Sequence, residues 1–119
     1  MHAVAVTHAG NRSTVCERCL VADRMLPRMR GLLGRRELRP GDGMVIRPAP
    51  SIHTFFMRFP IDALFLARDG EVLKVANDVK PWRIRSARRA HSVIELAAGE
   101  AERRGVSAGD RLLFDGAVA

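Results

Sequence analysis

The chain has no tyrosine and only one tryptophan, Trp82, among its 119 residues. Proteins that read unpaired bases do so by stacking them on aromatic rings, so few platforms exist for sequence-specific recognition of single strands. Cysteine is confined to Cys16 and Cys19, which excludes a disulfide-stapled scaffold. Long hydrophobic runs are absent as well. The longest, such as Ala63 to Ala67, fall far short of the roughly 20 residues a membrane span requires, so no membrane partner is expected. Met1 to Gly10 carry two histidines and no basic start followed by an apolar stretch, the pattern of an export signal, and the expected location is cytoplasmic. The standard catalytic and nucleotide-binding motifs are missing too: no GxxxxGKS, no GxGxxG after a strand, no HExxH and no GxSxG.

What is present describes one globular unit, expected to span residues 1–119. Apolar residues make up 47% and charged residues 28%, close to globular averages. Surface scaling gives a folded area of about 6,400 Å², which buries roughly two thirds of the unfolded surface, enough for one core. The formal net charge is +7, and lysine supplies only two of the 20 basic groups. Residues 1–60 carry a net +6 and residues 61–119 a net +1. Arg24 to Arg39 contains six arginines and one glutamate; Lys80 to Arg89 contains Lys80, Arg83, Arg85, Arg88 and Arg89 and no acid. Such stretches neutralise phosphates, so non-specific nucleic acid or an anionic small molecule is an expected partner, against the plainer reading of a solvated cationic face.

Cys16-Glu17-Arg18-Cys19 has the spacing of thioredoxin-like redox motifs and of half a zinc site. Zinc needs two further ligands, and His2, His8, His53 and His91 are scattered without partner spacing. The run Thr14 to Ala22 reads as a strand, on which residues three apart point to opposite faces, so the two sulfurs are expected to diverge. A redox pair also wants a helix N-terminus to lower a thiol pKa. No metal, cofactor or disulfide is expected.

Glycine and proline divide the chain into short elements. Ala3 to Thr7 and Thr14 to Ala22 read as the first two strands. Asp23 is a plausible cap for a helix carrying Met25, Leu26, Met29, Leu32 and Leu33, with Pro27 near its first turn. A Pro40-Gly41-Asp42-Gly43 turn leads into a strand over Met44 to Arg47. Ser51 to Arg58 alternates ambiguously: Ile52, Thr54, Phe56 and Arg58 oppose Ser51, His53, Phe55 and Met57, and either face suits burial. Ile61 to Ala67 pairs with Glu71 to Val79 across an Asp-Gly hairpin. Val93 to Leu96 and Arg111 to Phe114 supply two more strands, with a short helix over Ala98 to Arg104 that Gly105 ends. The expected fold is mainly β, a sandwich or jelly-roll-like small barrel with one or two short helices.

Several polar residues stand in apolar settings. Asp62 shares a strand face with Leu64 and Leu66, and a buried lone carboxylate costs several kcal/mol unless paired or hydrogen-bonded. It either accepts backbone N–H groups or pairs with an arginine, or else faces a ligand. Glu95, on the face shared with Val93, poses the same choice. His53 is a hydrogen-bonded structural histidine or a titrating site residue. Trp82, between Lys80-Pro81 and Arg83, is a ligand clamp through cation–π and anion contacts or a plug at one end of a barrel.

Arg30-Gly31-Leu32-Leu33-Gly34-Arg35, Gly43-Met44, Ile52 to Asp62, Val79-Lys80-Pro81-Trp82-Arg83, Ile94 to Gly99 and Gly109-Asp110 together resemble, in order, the DUF192 family of proteins of unknown function. The resemblance runs from about Thr14 onward. It implies a small jelly-roll β-sandwich, with no established activity, substrate or cofactor, and it marks Phe56, Met57, Asp62, Glu95 and Gly99 as candidate site positions. The chain departs from the family pattern at Ala67, where an acidic residue often precedes the hairpin turn, and in its CxxC. The leading expectation is a non-catalytic domain binding a small polar or anionic ligand in a groove. Its lining would be the block from His53 to Asp62, including Arg58, together with Lys80, Trp82, Arg83, Glu95 and Gly99. Nucleic-acid binding through the arginine-rich stretches ranks second, and an acid–base enzyme using Asp62 and Glu95 third.

Overall fold

Turn chemistry and alternation place most of the strands. The computed structural model describes residues 2–22, 37–55 and 57–117. Among them are β1 (His2–His8), β2 (Thr14–Ala22), β3 (Asp42–Ile46), β4 (Ser51–His53), β5 (Ile61–Leu66), β6 (Val72–Val79), β7 (Ile84–Ser86), β8 (Ser92–Ala97), the single helical turn α1 (Glu100–Arg103) and β9 (Leu112–Ala117). The helix expected after Asp23 lies outside the described residues, as does Phe56.

Seven strands form one sheet in the order β6-β5-β8-β3-β2-β1-β9, and β4 pairs with β7 in a separate ribbon. Every pair in the large sheet is antiparallel except β2 and β3. A parallel pair needs a crossover of a dozen or more residues, and the chain between Ala22 and Asp42 supplies it. The sheet curls into a half-barrel, the barrel form of the expected mainly β class. The chain's accessible surface of 6783 Å² agrees with the size scaling.

The two edge strands meet at one end of the curl. Val72 N–H donates to Asp110 O at 2.7 Å, Gly109 N–H to Val72 O at 2.8 Å and Leu112 N–H to Gly70 O at 3.0 Å. Arg111 adds an ion pair to Asp69 at 3.0 Å. Gly70 makes this closure possible: it holds φ +90 in the hairpin turn, and a Cβ there would lie 2.4 Å from Leu112 O.

Curling gives the central strands two buried faces. The concave core takes Val4, Val6, Val21, Val45, Leu64, Leu66, Ile94, Leu96 and Leu112, and α1 contributes Ala101. The convex core takes Met44, Ile46, Ala63, Phe65 and Val93, with Ile52 of β4, Met57 and Phe59 packed on them. All six residues of β5 are therefore buried, which explains its unbroken apolar run apart from Asp62.

The cysteines correct a sequence expectation. Val4 pairs with Cys19 and Val6 with Cys16, so three steps along β2 oppose two along β1. The extra residue is a β-bulge, and it resets the inward–outward phase. Glu17 and Arg18 both point outward, while Cys16 and Cys19 both enter the concave core with 0% exposure. The sulfurs converge on one face instead of diverging. Arg104 braces the bulge from outside: Nη1 and Nη2 each lie 2.8 Å from a Glu17 carboxylate oxygen, and Nη1 also donates to Thr14 O at 3.0 Å. The same guanidinium reaches Glu100, whose carboxylate accepts from Gly41 N–H at 3.3 Å and pairs with Arg103. Arg104 accordingly holds the Glu17 carboxyl below the usual carboxylate range.

Candidate functional site

Strand β4 stops at His53, five residues earlier than the alternation suggests, because Thr54 leaves the ladder. Thr54 is fully buried, and its hydroxyl donates to Lys80 O at 2.7 Å and accepts from Arg83 N–H at 2.9 Å. Its backbone N–H donates to Arg83 O at 2.9 Å, and its carbonyl accepts from Trp82 N–H at 3.0 Å and Met57 N–H at 3.2 Å. One threonine thus locks the turn after β4 to the turn before β7.

That lock presents a row of rings to solvent. His53 is exposed, and its ring centroid lies 4.8 Å from that of Phe55. Phe55 stacks on Trp82 with centroids 5.4 Å apart and planes 25° from parallel. Trp82 is 54% exposed and has φ 65, a left-handed conformation that bulky residues rarely adopt. Ile84, opposite His53 in the ribbon register, is 62% exposed. An indole and an isoleucine left in water forgo burial worth about 1.5–3 kcal/mol each, a cost that a binding surface offsets when occupied.

Cations border the row. Lys80 pairs with Asp78 at 2.8 Å. Arg83 Nη1 donates to Pro81 O at 3.2 Å, and Arg85 Nη1 to Ile84 O at 2.8 Å. Neither of these arginines, nor Arg88 or Arg89, pairs with a carboxylate among the described residues. Lys80 and Arg83 thus flank Trp82 in the turn that carries the aromatic row, whereas Arg85, paired with buried Ile52, lies on the opposite face of the ribbon from His53 and Ile84.

The other sequence candidates lie elsewhere. Asp62 is fully buried on the concave face; Oδ1 accepts from Asp78 N–H at 2.9 Å, and Oδ2 from Gly99 N–H at 3.0 Å and Ala101 N–H at 2.9 Å. It joins β5 to the end of β6 and to the start of α1, with Gly99 at φ 90 making the turn. Glu95 pairs with Ala63 and Met44 in register and so faces the convex side. Burial pushes its carboxyl up to about 8. Because Asp62 and Glu95 project from opposite faces of the sheet, they do not flank a common substrate as an acid–base pair must. Met57 is part of the convex core, and Arg58 is exposed on the bend that follows it. Of the ten sequence candidates, the structure brings together His53, Lys80, Trp82 and Arg83. Within the block from His53 to Asp62 it gives Thr54 and Phe55 the roles of lock and stacking ring, which the ambiguous alternation over Ser51 to Arg58 did not single out.

A shallow depression of about 350 Å³ lies between β6 and the segment after α1, lined by Val75, Asn77, Glu102, Val106 and Ser107 among others. Among the described residues no group of three or more His, Cys, Asp or Glu is arranged to hold a metal ion, and no helix is long and apolar enough to cross a membrane.

Comparison with known proteins follows the fold closely. A crystal structure from Sinorhizobium meliloti 1021, of a protein described as a "putative transcription regulator", is 30% identical with a TM-score of 0.81 over 95% of this chain and 92% of that one. A protein of unknown function from Novosphingobium aromaticivorans DSM 12444 is 25% identical with a TM-score of 0.80 over 93% of this chain and 83% of its own. No curated protein matches the chain. Residues 4–114 match the DUF192 family model, described as an uncharacterized ACR. With the half-barrel shared and the match running nearly end to end, the chain belongs to the DUF192 family.

Proposed function

We propose that this chain is a non-catalytic binding domain that takes a small anion carrying a planar group at the face formed by His53, Phe55 and Trp82. The observation that carries the reading is Trp82. It is more than half exposed, kept at a positive φ by hydrogen bonds to buried Thr54, and backed by Phe55. Strained, solvent-facing side chains over-determined by their surroundings cluster at ligand sites. A planar ring gains stacking and dispersion on the indole, and arginines at the rim donate to an anionic oxygen.

Trp82 is the sole tryptophan, so its fluorescence reports this face alone. Titration with adenosine 5′-monophosphate supplies ring and anion together; adenosine supplies the ring only and inorganic phosphate the anion only. The expected result is a saturating change for the monophosphate at lower concentration than for either fragment, weakened by salt. No saturating change with any of the three up to millimolar concentration would reject the reading.

Nucleic acid is the second reading, favoured by the net charge of +7 and by the description of the Sinorhizobium protein. It differs in a measurable way. Affinity for oligonucleotides would rise with strand length and fall steeply with salt, since each phosphate contact releases counterions.

A further inference from the structure

The bulge in β2 builds a second chemical site that the binding face does not involve. We propose that Cys16 and Cys19 form a redox modification site, closing to an intrachain disulfide by exchange with a small-molecule disulfide of the glutathione class. On a regular strand the pair would lie about 10 Å apart on opposite faces. Here they face Val6 and Val4, two steps apart on β1, which implies a Cα separation of about 6.5–7 Å. Disulfides span Cα separations of about 4.4–6.8 Å, so a small contraction of the bulge suffices.

The surroundings favour a disulfide over a bound soft metal. Cys16, burial and Glu95 together push the Cys19 thiol well above its ordinary range. A two-coordinate metal would keep two thiolates in this apolar core, whereas a disulfide is neutral. The way in is the Gly41 turn: Cys16 Sγ donates to Gly41 O at 3.4 Å, and Gly41 N–H is tied to Glu100 within the Arg104 network. When that turn opens, the Cys16 sulfur attacks one sulfur of the small disulfide and expels one thiol. Cys19 then attacks the Cys16 sulfur of the mixed disulfide and expels the second. Two protein S–H bonds and one S–S bond break, one protein S–S and two small-molecule S–H bonds form, and two electrons pass to the oxidant.

The test uses the full chain, incubated folded with excess glutathione disulfide, quenched in acid, then unfolded in urea, alkylated with N-ethylmaleimide and weighed intact. The expected product is a monomeric chain lighter by two hydrogens, with no alkylation and no glutathione. Cys19→Ser should stop at the glutathione adduct on Cys16, since the resolving sulfur is gone. Two alkylated thiols in the native chain, under conditions that close the urea-unfolded chain, would overturn the proposal. A disulfide found only between chains, or a wild-type chain arrested as the adduct, would overturn it equally.

Discussion

Replacing Asp62 by alanine removes the acceptor for three backbone donors at once. The Ala101 N–H is buried and would be left without a partner, at a cost of about 2 kcal/mol; those of Asp78 and Gly99 are partly buried and regain water, at about 0.5–1 kcal/mol each. The sum is about 3 kcal/mol, a large share of the stability of a small domain. Asp62→Asn keeps one oxygen, which serves either Asp78 or the Gly99 and Ala101 pair, and turns an amide N–H against the rest. It should cost less, about 1–2 kcal/mol. Urea unfolding monitored by Trp82 fluorescence measures both, with stability read from the midpoint while the slope stays constant. An Asp62→Ala midpoint equal to that of the wild type would refute the reasoning and return the carboxylate to the ligand-facing role.

Further outcomes follow from the same contacts. Folded Glu95 keeps its proton up to about pH 8, whereas an unfolded glutamate releases it near 4.3, so the folded state binds more protons in between. Wild-type stability should therefore fall as pH rises from about 4.5 to about 8, with a slope approaching about 1.4 kcal/mol per unit, and Glu95→Gln should flatten that slope in thermal melts. Gly70→Ala should destabilise by about 1–3 kcal/mol, since its Cβ meets Leu112 O and its φ is positive; an unchanged melting temperature would contradict the edge closure. Arg104→Ala should cost about 1–3 kcal/mol and speed amide exchange in β2 near Glu17, because Glu100 loses a partner at a nearly buried carboxylate.

Local signals made much of the fold legible. β2 ran from Thr14 to Ala22 as its composition suggests, and the Asp-Gly turn set the β5–β6 hairpin. Asp62 also shared the face of Leu64 and Leu66, as alternation required, and its acceptance of backbone N–H groups was one of three open readings. The phase of β2 was not legible, because a bulge inserts a residue without changing composition. The only trace was the charged pair Glu17-Arg18 between two apolar stretches. β7 has three residues and an exposed Ile84, too little for any periodic pattern. The groove imagined from sequence divided into a concave, a convex and a solvent-facing group. Which way a strand faces depends on partners distant in the chain, and Ser51 to Arg58 offered two equal phases. The phase is set by Thr54, which turns inward to meet Lys80 and Arg83 and so leaves Phe55 beside Trp82.

The most direct test of the binding face is amide chemical-shift mapping of the full chain during titration with adenosine 5′-monophosphate. The account predicts saturable shifts concentrated at His53 to Phe55 and Trp82 to Arg89, together with the indole N–H of Trp82, and their loss in Trp82→Ala. Shifts confined to the depression beside Val75 and Ser107, or saturable binding undiminished in Trp82→Ala, would contradict it.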